Sequence, residues 1–63
     1  MFEVMYALVH DEDTGKAIEP PLKLGRHFDT KDDIEKLRVD LKRQKDNGHK
    51  VNIYFAIKQL ANG

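Results

Sequence analysis

Cysteine is absent from this 63-residue chain, and serine is absent with it. The first absence removes disulfides, thiolate metal sites and cysteine nucleophiles together, and it suits a reducing compartment. The second leaves no nucleophile for the usual serine-based acyl transfer. Net charge is also missing, because eleven Lys and Arg oppose eleven Asp and Glu. No long-range field then draws a polyanion or a membrane surface, and any electrostatic function must be local. Long hydrophobic runs are lacking as well. The longest, Val4 to Val9 and Ile53 to Ile57, are far shorter than the roughly 20 residues of a bilayer span. The opening MFEVMYALVHDED has neither the basic start nor the small-residue cleavage site of a signal peptide. The expectation is a soluble, cytoplasmic protein.

Length sets the next bound. Residues 1–63 make a single domain. A domain of this size buries only about 60% of the surface its unfolded chain exposes. Small domains often compensate with disulfides, a metal or oligomerisation. With cysteine absent, oligomerisation or an unusually good core remains.

Four segments follow from the pattern. Phe2 to His10 is rich in aromatic and β-branched residues and stops at the acidic turn DEDTG, as a strand does. Phe2, Val4, Tyr6 and Leu8 alternate with Met5, Ala7 and Val9, so both sides are apolar and a central position is expected. Pro20 and Pro21 cannot donate to a ladder, which places the next strand at an edge, short or interrupted, with Leu22, Leu24 and Phe28 at period two.

FDTKDDIEKLRVDLKRQKDNG reads as a helix. Thr30 is its N-cap, with Asp33 three residues on as an acidic variant of the capping box. Asp32, Asp33 and Glu35 meet the positive end of the helix dipole, Lys42, Arg43 and Lys45 meet the negative end, and Gly48 is the expected C′ residue. Ile34, Leu37 and Leu41 form the buried stripe, with Val39 roughly opposite. The final strand, within KVNIYFAIKQL, should turn Val51, Ile53, Phe55 and Ile57 under the helix. A helical crossover favours a parallel pairing of right hand. The fold class is therefore α+β: a β-β-α-β domain with a three-stranded sheet in the order 2-1-3 and one helix on one face.

The polar clusters give little chemistry. Asp11, Asp13 and Gly15 resemble the start of a calcium loop, but the ligand series breaks at Leu22, where a bidentate Glu is needed. A hairpin turn, with Asp side chains bonding local amides and Gly15 at positive φ, explains the same residues. His10, His27 and His49 lack the short spacings of metal motifs and read as scattered surface residues. Arg26 and His27 precede the helix, yet Asp29, Asp32 and Asp33 already occupy its positive end and would repel an anion. No catalytic, cofactor or metal site is expected, and the protein is read as a non-enzyme.

Two binding surfaces remain. The first is the sheet face away from the helix, expected to comprise Met5, Ala7, Val9, Tyr54 and Ala56. Left in water it is an apolar patch of the kind that marks an interaction site. A second copy of the chain, pairing through that face or through an edge strand, is the expected cover. An accessory or inhibitory subunit docking on a larger protein fits the same description. The second surface is a basic helix flank, Lys31, Arg38, Lys42 and Lys45 with Lys50 beyond, which is the alternative reading as a weak nucleic-acid contact. Asp40 and Asp46 on neighbouring faces and the zero net charge weigh against it.

Overall fold

The computed structural model describes residues 1–48 and 50–60. Among these, the elements are β1 (Phe2–Asp11), β2 (Leu22–Phe28), α1 (Lys31–Lys45) and β3 (Val51–Gln59). The strands form one sheet in the order β2-β1-β3, and α1 packs on one of its faces, mainly along β3.

The turn after β1 is held by Asp11. Its Oδ1 accepts the amides of Asp13 at 2.7 Å and Thr14 at 3.1 Å, and its carbonyl accepts from Gly15 at 2.8 Å. Gly15 sits at φ +74°, a left-handed conformation that glycine adopts without a Cβ clash. The returning chain makes a bridge between His10 and Ala17, and then the two prolines delay ladder formation until Leu22.

The last strand does not take up a parallel pairing. β3 runs antiparallel to β1, from Phe2 opposite Gln59 to Asp11 opposite Val51. Because β2 is also antiparallel to β1, the α1 crossover links two strands of the same direction with β1 lying between them. The helix returns the chain to the end of the sheet where β2 began. There the far side of β1 offers an unpaired edge.

β1 changes parity in its middle. Val4 lies opposite Ile57 and Arg26, whereas Tyr6 lies opposite Ala56 and Lys23, and Met5 has no partner in either ladder. A one-residue bulge of this kind sends successive alternating side chains to opposite faces before and after it. Phe2 and Val4 therefore share the helix face with Ala7 and Val9. The two faces expected from simple alternation, Phe2/Val4/Tyr6/Leu8 and Met5/Ala7/Val9, do not exist as such. Neighbouring β2 accommodates the irregularity at Gly25, which has φ +60°.

The helix starts and stops close to expectation. Thr30 Oγ1 accepts the Asp33 amide at 3.2 Å and donates to the Asp33 carboxylate at 3.0 Å, so the reciprocal contact is between side chains. The C-cap is Asp46, whose amide donates to Lys42 O at 2.8 Å, and Gly48 lies two residues further on rather than at C′. Its φ of +82° still turns the chain away.

Two clusters make the core. Val4, Phe28 and Ile34 gather Phe2, Leu24 and Leu37 around them; Val9, Val51 and Ile53 gather Leu41; Phe55 touches both. Ile34, Leu37 and Leu41 thus face the sheet, while Val39 is exposed.

Candidate functional site

The face away from α1 follows from the register. β1 contributes Glu3, Tyr6, Leu8 and His10; β2 contributes Lys23 and His27; β3 contributes Asn52, Tyr54, Ala56 and Lys58. Tyr6 and Tyr54 are 41% and 48% exposed, which is unusual for aromatic residues in the middle of a sheet. Leu8 lies opposite Tyr54, and Ala56 lies opposite Tyr6, so the four make a continuous apolar strip across β1 and β3. The His10 ring meets the Tyr54 ring edge-on, with centroids 5.2 Å apart and planes at 72°. At the other end Glu3 Oε2 lies 3.9 Å from His27 Nε2, and Glu3 stands opposite Lys58 in the β1–β3 register.

This corrects the expected interaction face. Of Met5, Ala7, Val9, Tyr54 and Ala56, only Tyr54 and Ala56 lie in the open strip. Ala7 and Val9 are 0% and 2% exposed and sit under the helix, opposite Phe55 and Ile53. Met5 is the half-buried bulge residue. Tyr6 and Leu8 take their place. Period-two counting along β1 could not find them, because every residue from Val4 to Val9 is apolar or aromatic and carries no parity signal. The one sequence cue was Gly25, an isolated glycine within a strand pattern.

The basic flank is largely committed inside the molecule. Arg38 donates from Nε to Ile53 O at 3.3 Å, lays its guanidinium over the Phe55 ring at 5.1 Å and pairs with Glu35. Lys42 donates to Val51 O at 2.5 Å, with Glu12 4.0 Å away. Lys45 reaches back to the connection between β1 and β2. Its Nζ donates to Glu19 Oε2 at 3.2 Å and lies 3.0 Å from the buried Oε1, an ionic contact without hydrogen-bond alignment at that oxygen. Lys31 and Lys50 are exposed, one opening the helix and the other past its end. A helix of this length separates them by roughly 20 Å.

The histidines do not converge. His10 and His27 sit at opposite ends of the open face, and His49 lies outside the described residues. Among the described residues no three His, Asp or Glu side chains gather as a metal site would need. A groove of about 230 Å³ opens between the first half of α1 and the end of β3, lined by Phe2, Lys31, Ile34, Glu35, Arg38 and Ile57. Among the described residues, no helix is long and apolar enough to cross a membrane. No family model matches the chain, and no curated protein or solved structure matches it.

Proposed function

We propose that this domain is a non-enzymatic protein-protein interaction module that docks through the open sheet face and pairs there with a second copy of itself. The observation that carries the reading is the uncovered strip of Tyr6, Leu8, Tyr54 and Ala56 on an otherwise well-packed sheet. Two exposed tyrosines supply large contact area with few rotatable bonds, and their hydroxyls tolerate water before association. The strip is bordered by charge of both signs, Glu3 with Lys23 and Lys58, so a two-fold copy can set acid against base. Cyclic dimers are the commonest assembly, and a self-complementary patch closes after one pairing. Covering the strip also supplements a thin core, at roughly 25 cal/mol per Å² of apolar surface before association costs. Freedom from cysteine suits action in the cytoplasm. There the dimer serves as an accessory or inhibitory subunit of a larger assembly.

The test is sedimentation equilibrium from micromolar to millimolar concentration, on the natural chain and on Tyr54→Lys and Tyr6→Lys. The reading expects a dimer that either substitution disperses without loss of folded signal. A natural chain that stays monomeric throughout ends the homodimer reading.

A further inference from the structure

The two edges of the sheet are protected unequally. Glu12 donates to Lys50 O and Leu60 donates to Met1 O, both at 3.0 Å, so residues of even number in β3 turn their main chain toward β1. Those of odd number turn theirs outward. Among the outward groups, Val51 O and Ile53 O accept from Lys42 and Arg38, which closes the first half of the edge. No side chain of the described residues bonds the outward groups of Phe55, Ile57 or Gln59. β2, at the other edge, is irregular at Gly25 and presents Lys23, features that discourage strand addition.

The open half of β3 borders the groove lined by Phe2, Ile34 and Ile57, with Lys31, Glu35 and Arg38 on its helical side. Ile57 is 44% exposed there. Glu35 is paired with Arg38, which leaves Lys31 as a rim cation with no acidic partner among the described residues. We infer that this half-edge and groove bind an extended peptide segment of another protein, by strand addition along Phe55–Gln59, with an aliphatic side chain in the groove and an acidic one at Lys31. Main-chain hydrogen bonds supply affinity in this mode, and alternate side chains supply selectivity.

A second copy suits the same edge less well. Pairing β3 with its own copy would bring Lys31 and Arg38 of both copies toward one seam, like charge against like charge. A single extended segment brings no helix and can carry the complementary charge.

The probe is a phage-displayed library of random heptapeptides, panned on the natural chain, with the enriched peptide then synthesised and titrated by amide NMR. Enrichment in β-branched and acidic residues is expected, with shifts centred on Phe55, Ile57 and the start of α1. Affinity should fall at least tenfold with Ile57→Lys, with Lys31→Glu, and with alternate N-methylation of the peptide, which leaves the protein untouched. Tyr54→Lys should leave it unchanged, and this separates the edge from the open face, whose failure to dimerise would not touch the result. The inference is overturned by a library that yields no enrichment, by binding that survives the edge variants, or by shifts centred on Tyr6 and Tyr54. Self-association that Ile57→Lys abolishes would also overturn it, because a second copy would then own the edge.

Discussion

The ammonium of Lys42 donates to the main-chain carbonyl of Val51 at 2.5 Å, so a helix side chain satisfies an outward acceptor of an edge strand. Arg38 does the same for Ile53 one turn earlier. These contacts block a row that would otherwise template another chain. Lys42→Met keeps the apolar stem and removes the donor. It should cost about 0.5–1.5 kcal/mol in stability and raise aggregation on heating. Light scattering that matches the natural protein would show that the edge is guarded by something else.

Burial on α1 gives a paired prediction. Ile34 is in the core and Val39 is exposed. Ile34→Ala should cost about 2–5 kcal/mol, a large share of the stability of so small a domain. Val39→Ala should stay within about 0.5 kcal/mol. Chemical denaturation of the two variants decides the matter, and equal midpoints would mean that the assigned face is wrong.

Gly25 is required by conformation rather than by space. It lies at φ +60°, and a Cβ added there meets nothing within 4 Å. Gly25→Ala should therefore cost about 1–2 kcal/mol from the left-handed backbone alone, with Gly25→Asn milder. If alanine is neutral in thermal melts, β2 must be regular in solution.

Thr30 makes two contacts with Asp33 at the head of the helix. Thr30→Ala should lower stability by about 0.5–2 kcal/mol, and Thr30→Asn by much less. Circular dichroism through a urea transition reads the difference; an equal loss in both variants would argue against capping.

Arg38, Lys42 and Lys45 already serve Ile53, Val51 and Glu19, so weak phosphate binding is expected of the helix flank. Affinity for single- or double-stranded DNA should be no tighter than about 10⁻⁴–10⁻⁶ M at physiological salt. Submicromolar binding in fluorescence anisotropy, falling steeply with added salt and weakened by Lys42→Glu, would restore the nucleic-acid reading.

The helix was legible because its signals are local. Thr30, the acidic first turn and the Ile34/Leu37/Leu41 spacing lie within one turn or two of each other and fix both the start and the face. Strand order was legible from β1, whose apolar residues on both sides place it centrally, and from Pro20 and Pro21, which mark the approach to Leu22–Phe28 as an edge. The direction of β3 and the parity of β1 were not. Each depends on which residues meet across the sheet, and an apolar run from Val4 to Val9 is compatible with either parity until Met5 is squeezed out of both ladders. The open face inherits that ambiguity, which is why Tyr6 and Leu8 stand where Ala7 and Val9 were expected. The commitments of the basic flank were hidden for a related reason. Lys45 and Glu19 are 26 positions apart, and no spacing rule joins them.

Of the three strands, the central one is made first, and its two neighbours come later. Phe2 pairs with Phe28 on one side and with Gln59 on the other. The β1–β2 ladder and α1 can assemble while the chain is still being made, but Val9 lacks its cluster partners Val51 and Ile53 until β3 has followed them. During that interval the nascent chain shows a naked flank of its most hydrophobic strand, the kind of transient edge on which chaperones act and misassembly begins. Closing so long a loop adds only logarithmically to the entropic cost, so the delay is one of synthesis more than of search. A variant that slows elongation before residue 51 lengthens the exposure without altering a single native contact.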